Sequence, residues 1–416
     1  MAIVVQKYGG SSLSSIAKLH HVAERILATR AAGHDVVVVV SAMGKATEDL
    51  LALARQAAEL PGTDAAAAVA PARRELDMLL STGERVSMAL LSIALTARGA
   101  DAVSFTGSQS GILTNDRHFD ARIIQVRPHR IEDELARGRI VIVAGYQGMS
   151  YKREVTTLGR GGSDTTAVAL TAALGATQCE IYSDVDGVYS ADPRTVPLAQ
   201  HLPHVDYDGM QELAEAGAKV LNAQAVEWAK RSNVSILARR TSDPMEPGAG
   251  ARETEVGPSS TLNRSWRAVT RDPKLAILHA ERDQARAAWD TFAALELPVR
   301  DASTGPAGLV CVLPLLNVPD WTRLRAELGA RGAGLRIQDE NLGSVSLVGT
   351  GVGTDAQLMA ELYALAEGAA VSVTSNPARI SCVLPAARLA DFEREFHDRF
   401  VAEQMPRAPA ELRRVQ

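Results

Sequence analysis

Aromatic residues are scarce in this chain, with four Trp, seven Tyr and six Phe among 416 residues, so a nucleobase pocket built by aromatic stacking is not expected. Cysteine is scarcer still. Cys179, Cys311 and Cys382 stand singly in apolar or strand-like sequence with no CxxC spacing, which excludes a disulfide framework and a cysteine metal centre and reads as buried thiols in a reducing cytosol. An excess of basic charge is also lacking. The 44 Lys and Arg and 49 Asp and Glu are interspersed and leave a net charge of −5, which argues against nucleic acid as the main partner. No run of 18 apolar residues occurs, and Met1-Ala2-Ile3-Val4-Val5-Gln6-Lys7 lacks the charged-then-apolar layout of a signal peptide. The expectation is a cytoplasmic protein with no membrane partner.

What is present is enough apolar residue, 46%, for packed cores, and enough length for two or three domains. A short apolar strand, Ile3 to Gln6, runs into Lys7-Tyr8-Gly9-Gly10-Ser11-Ser12 and then a helix with Ile16, Leu19, Val22 and Ile26 at helical spacing. The five-valine run Val36 to Val40 suits a parallel strand buried on both faces, and it ends at Ser41-Ala42-Met43-Gly44-Lys45-Ala46-Thr47. Leu51 to Ala72 reads as helix interrupted at Pro61-Gly62, and Ser81-Thr82-Gly83-Glu84 stands near the start of a further helix. Strands at Ala102 to Phe105 and Ile140 to Ala144 are each followed by a polar glycine run.

Then comes Arg160-Gly161-Gly162-Ser163-Asp164-Thr165-Thr166, which packs a cation, two glycines, an anion and three hydroxyls into seven residues. Ser163 is the expected N-cap and Gly175 the C′ glycine of the helix that follows, whose N-terminus would point N–H groups at an anion. The strand Glu180-Ile181-Tyr182 leads into Ser183 to Arg194, a turn-rich run. Its Asp184, Asp186 and Asp192 lack the position-12 glutamate of a calcium loop. A helix ending at Gly217-Ala218-Lys219, another through Trp228 and a strand at Val234 to Leu237 follow. Strands alternating with helices predict a mainly parallel sheet between helices, with ligands at the carboxyl ends of the strands. Residues 241–270, rich in Pro and Gly, read as a linker. Beyond it two blocks, 271–340 and 341–416, each read as a ferredoxin-like βαββαβ unit.

Lys7 to Ser12, Ser41 to Gly44, Thr82 to Glu84, Phe105 to Gln109, Thr157 to Thr166 and Asp184 to Tyr189 together resemble aspartate kinases of the amino-acid-kinase fold over residues 1–240. The two C-terminal blocks resemble the paired ACT regulatory domains of that family. The resemblance implies a three-layer amino-acid-kinase domain followed by two ACT-like domains. It also implies transfer of the ATP γ-phosphoryl group to the β-carboxylate of L-aspartate, the first step toward lysine, threonine and methionine. The attacking carboxylate is already ionised at neutral pH, so catalysis reduces to alignment and charge neutralisation.

In that family pattern Lys7 and Asp164 are catalytic, while Ser41, Thr47, Glu84, Arg160 and Ser163 line the aspartate pocket, with Arg160 gripping the α-carboxylate and Glu84 the α-ammonium. Lys7, Gly9, Gly10, Ser11, Gly161, Gly162, Tyr182, Ser183, Asp184, Val188, Tyr189, Asp192, Pro193 and Lys219 match the positions around ATP. Mg²⁺ is expected through the ATP phosphates, without direct protein ligands. A homodimer or higher oligomer through the ACT-like units is expected as well. Each residue also has a plainer reading: a solvated lysine, a carboxylate at a helix N-terminus, or a cation at a helix end.

The C-terminal half departs from the family. The Pro-Gly turn after the first ACT strand is replaced by His279-Ala280-Glu281-Arg282-Asp283-Gln284, the second loop reads Gly349 to Asp355 without proline, and Thr374-Ser375-Asn376-Pro377-Ala378-Arg379 replaces a Ser-Thr-Ser-Glu-Ile run. Weak or absent inhibition by lysine and threonine is the expectation. The competing readings are another phosphotransferase of the same fold and a non-catalytic ACT regulatory protein.

Overall fold

The computed structural model describes residues 2–59, 71–244, 251–259, 266–316, 318, 320–331 and 334–402. They form two units, one of residues 1–188, 203–214 and 219–261, the other of residues 189–202, 215–218 and 262–416.

The first unit is organised by an eight-stranded sheet. Six strands run parallel in the order Ser235–Arg240, Gln178–Ser183, Ile3–Tyr8, Asp35–Val40, Ile140–Ala144 and Ala102–Phe105. Val36 through Val40 are fully buried, as the two-sided burial of a central parallel strand requires. Leu19, Val22 and Ile26 of helix Ile16–Ala31 and Leu91 and Leu95 of helix Arg73–Thr96 pack on this sheet in one core. The Arg73–Thr96 helix is long and apolar enough, by length and composition, to cross a membrane. It also carries Asp77 and Glu84 on its buried face, as a core helix beside a polar site does.

Two features of this unit differ from the sequence expectation. Strand Glu253–Gly257 pairs antiparallel with Ser235–Arg240 and parallel with His204–Asp206, so the stretch read as linker supplies a strand of the central sheet. A second sheet of four short strands, Ile123–Val126, Ile112–Thr114, Gln147–Ser150 and Val155–Thr157, has no counterpart in the periodicity because each strand has three or four residues. The expected break at Pro61-Gly62 and the Pro247–Gly250 run lie outside the described residues.

In the second unit, Leu275–Ala280, Ala285–Ala294, Asp301–Gly305, Gly308–Pro314, Trp321–Arg331 and Arg336–Gln338 form a complete βαββαβ unit. The other is permuted. Leu342–Gly349, Ala356–Ala366, Ser372–Asn376, Arg379–Pro385 and Leu389–Phe400 supply five of its elements, while its fourth strand is Arg267–Asp272, antiparallel to Leu342–Gly349 with Asp272 opposite Ser344. The first ferredoxin-like unit is therefore inserted into the second, and a tandem boundary at 340/341 does not separate them. Arg300 ties the two sheets: its buried guanidinium meets Asp272 at 3.1 Å and Asp301 at 3.5 Å, and Arg379 meets Asp301 at 2.6 Å. The Phe392, Phe396 and Phe400 core also takes in Ala191 and Val196.

Candidate active site

The site begins where the first strand ends. Lys7 points its ammonium at Asp164 Oδ1, 2.6 Å away, and both side chains are about nine-tenths buried. Asp164 lies in the first turn of helix Gly162–Ala173, where the free N–H groups favour negative charge. After Tyr8 the chain turns: the Gly9 N–H donates to the Tyr182 carbonyl at 3.1 Å. A Cβ on Gly10 would lie 2.7 Å from the Ala42 carbonyl oxygen, so a side chain there would push apart the Gly9-Gly10 and Ser41-Ala42 turns. The Gly44 N–H closes the contact by donating to the Gly10 carbonyl.

Glu84 is the group most perturbed by this packing. It lies in the middle of helix Arg73–Thr96, not near a helix start, and it is 3% exposed. One carboxylate oxygen accepts the Ala42 N–H at 3.0 Å; the other is buried with no hydrogen-bond partner. Burial pushes its pKa up to about 7, against the lesser opposing pull of backbone N–H donors. A buried carboxyl with one oxygen unmatched is suited to receive a cationic ligand group.

Arg160 stands exposed between Gly159 and Gly161, both at φ +73°. Such a turn is open to glycine and strained for other residues. Gly161, not Ser163, is the N-cap of the helix; Ser163 is buried one residue inside the first turn, and a Cβ on Gly145 would meet its hydroxyl at 2.7 Å. Gly175 takes the left-handed C′ position, with the Gly175 and Ala176 N–H groups donating to Ala172 and Thr171 carbonyls. Ser41 and Thr47 flank the Ser41–Thr47 turn, with Thr47 in the first turn of helix Ala46–Ala58.

The structure thus groups Lys7, Gly9, Gly10 and Asp164 beside the Ser41-Ala42 turn, whose Ala42 N–H is held by Glu84. Among the residues expected around the nucleotide, Ser11 Oγ lies 3.5 Å from the exposed Asp184 carboxylate, and Ser183 Oγ bonds with both polar atoms of Val185's backbone. The Tyr182 ring points inward, stacked on Tyr8 at 4.9 Å, with Arg25 over its face. Only its carbonyl faces the Gly9 turn. Val188 is buried and its N–H donates to Thr254 Oγ1. Lys219 is exposed in the loop after helix Tyr207–Glu215, which ends before reaching it.

Tyr189, Asp192 and Pro193 are counted with the second unit. Ala191 and Val196 anchor their segment in that unit's core, Ser190 Oγ pairs with His397 at 2.9 Å, and the Asp192 carboxylate is engaged by Arg194. Two residues were missed. Asp77, seven positions before Glu84 on the same helix face, is fully buried and accepts from Thr157 Oγ1, the Phe119 N–H and His118 Nδ1. Burial raises its pKa despite those donors. An acid within an apolar helical stripe was the available signal. Asn222, the N-cap of helix Ala223–Ser232, gave none beyond its capping preference.

Comparison with known proteins places this geometry. Residues 2–238 match the amino acid kinase family. The chain is 41% identical over 417 residues to the aspartokinase of Corynebacterium efficiens, covering 96% of each chain. It is 56% identical over 240 residues to the aspartokinase of Mycolicibacterium smegmatis, covering 58% of this chain and 55% of that one. Among solved structures, E. coli aspartokinase III in complex with aspartate and ADP shares the fold, with a TM-score of 0.80 at 23% identity over 96% of this chain and 99% of that one. The chain belongs to the amino acid kinase family and, within it, to the aspartokinases.

Proposed function

We propose that the protein is an aspartate kinase that moves the γ-phosphoryl group of ATP onto the β-carboxylate of L-aspartate. The observation that carries this reading is the buried Lys7–Asp164 pair beside the Gly9-Gly10 turn, together with the unmatched oxygen of Glu84 across the same turn. A carboxylate oxygen of aspartate bonds to the γ-phosphorus as the bond to the β,γ-bridging oxygen breaks, and ADP leaves with that electron pair. No proton has to be removed from the nucleophile. Lys7, held by Asp164, neutralises charge on the transferring group, and the close-packed Gly9-Gly10 turn lets the phosphates approach the backbone. Arg160 takes the α-carboxylate, for which a planar fork of donors is suited. Glu84, once ionised, takes the α-ammonium.

Mg²⁺ would be carried mainly by the ATP phosphates, where it would supply further charge neutralisation. Among the described residues no three His, Cys, Asp or Glu side chains gather into a metal cage. Ser11 and Asp184, 3.5 Å apart, are the side chains that would face the cation. The product is an acyl phosphate at the head of the route to lysine, threonine and methionine. Three buried free thiols suit a cytosolic enzyme.

Weak feedback inhibition by lysine or threonine is part of the proposal. The Asp355 carboxylate occupies the N-terminus of helix Ala356–Ala366, accepting the Gln357 and Leu358 N–H groups at 3.0 Å each. Donors suited to an effector's carboxylate are thereby taken by the chain itself. Assembly through the ACT-like units completes the reading.

An ATP-dependent hydroxamate assay with L-aspartate tests the activity: aspartyl hydroxamate should form. No product with aspartate, alongside turnover of another acid, would replace this reading with a different phosphotransferase, and no turnover of any acid would favour a non-catalytic ACT protein.

A further inference from the structure

Arg160 is held by very little of its own. Its neighbours Gly159 and Gly161 both adopt φ +73° and offer no side chain to anchor the turn. Local bonds come from Gly162 N–H to the Gly159 carbonyl at 3.1 Å and Asp164 N–H to the Gly161 carbonyl at 3.0 Å. The carbonyl of Arg160 itself faces Asn222, whose Nδ2 donates to it at 2.8 Å. Asn222 is in turn fixed on its other side. Its Oδ1 accepts the Gln224 N–H at 2.8 Å, the Ala225 N–H at 3.3 Å and the Thr165 hydroxyl at 3.3 Å. Its Cβ presses on the turn so closely that a Cβ on Gly161 would lie 2.7 Å away.

We infer that Asn222 is a positioning residue for the acceptor site, clamping the Arg160–Gly161 turn to the start of helix Ala223–Ser232 so that the guanidinium is presented in one orientation. The inference rests on the proposal that Arg160 grips the substrate carboxylate. The residue type matters. Serine, threonine and aspartate can cap a helix, but none carries an NH₂ able to reach the Arg160 carbonyl, and aspartate would set oxygen against oxygen. Asparagine combines the capping acceptor and the donor on one planar amide. The amide also links the Arg160 turn to the loop carrying Lys219, three residues upstream.

The test is Asn222→Ser, which keeps the cap and removes the donor, measured alone and combined with Arg160→Ala. The aspartate KM should rise about five- to tenfold, the size of one lost hydrogen bond. The kcat at saturating aspartate, the ATP KM and the melting temperature should stay near wild type. In the Arg160→Ala background the same substitution should add almost nothing, because the group being positioned is gone. If Arg160→Ala raises the aspartate KM but Asn222→Ser does not, or adds its full factor on top, the positioning role is overturned and the Arg160 reading stands. A joint fall in kcat and melting temperature with both KM values raised would reduce Asn222 to a helix cap. An unchanged KM in Arg160→Ala overturns the Arg160 reading and this inference with it.

Discussion

Glu84 should make aspartate binding depend on pH in a range where the substrate's own β-carboxyl is already ionised. In the ligand-free protein its carboxyl titrates near pH 7 because it is buried with one oxygen unmatched. The ammonium of aspartate binds the ionised form, so binding below this pH must first release a proton. For one titrating group the apparent KM scales as one plus the ratio of protonated to ionised carboxyl, which is about 11 at pH 6 and about 1.1 at pH 8. The aspartate KM should therefore fall about tenfold between those values. The measurement is initial ADP release at saturating MgATP, with aspartate varied from pH 6 to 8.5. Glu84→Gln should raise the KM throughout and flatten its pH dependence. A wild-type KM constant from pH 6 to 8 would refute the reasoning.

Lys7→Ala should lower kcat by about 10²–10³-fold, as loss of a preorganised charge at the transferring group does; single-turnover ADP formation checks it, and turnover near wild type would remove Lys7 from the site. Arg160→Ala should raise the aspartate KM by about 10- to 100-fold, the range for a lost charged hydrogen bond, with the ATP KM little changed. Lysine and threonine, alone and together, should leave activity near full up to millimolar levels, and half-inhibition at micromolar levels would contradict the occupied helix start at Asp355. Glu84 and the buried Glu393, which burial also raises to about 7 despite the nearby Arg271, hold protons more tightly folded than unfolded. Their stabilising contribution is thus full below about pH 4.5 and lost as pH rises through about 7. Ligand-free melting temperatures should decline across that window, less so in Glu393→Gln.

Much of the catalytic half was legible because its signals are local. A five-valine strand, glycine turns at strand ends and helical spacing on Leu19, Val22 and Ile26 each constrain their own backbone, and the motif set pointed to Lys7, Glu84, Arg160 and Asp164 before any geometry was known. What escaped depends on distant partners. Strands of three residues such as Ile112–Thr114 carry no periodicity. Glu253–Gly257 becomes a strand because Ser235–Arg240 and His204–Asp206 flank it. Ser163 has a capping side chain, but the left-handed glycines start the helix earlier. The Asp77–His118 and Asn222–Arg160 pairings join residues 41 and 62 positions apart, which no window of sequence contains.

The inserted ferredoxin-like unit leaves and rejoins the outer one at a single seam. Asp272 and Ser344 face each other on adjacent antiparallel strands, so the chain leaves and re-enters the outer unit within the roughly 5 Å that separates paired residues. A two-residue Asn-Gly turn could close that gap in place of the intervening segment, leaving Arg267–Asp272 and Leu342–Gly349 as a hairpin. The excision would also strip Arg300 from Asp272 and Asp301 from Arg379. A shortened chain would then need neutral residues at 272 and 379 and polar ones in place of Leu342 and Val383, which are buried against Leu275, Ile277 and Val312 of the inserted unit.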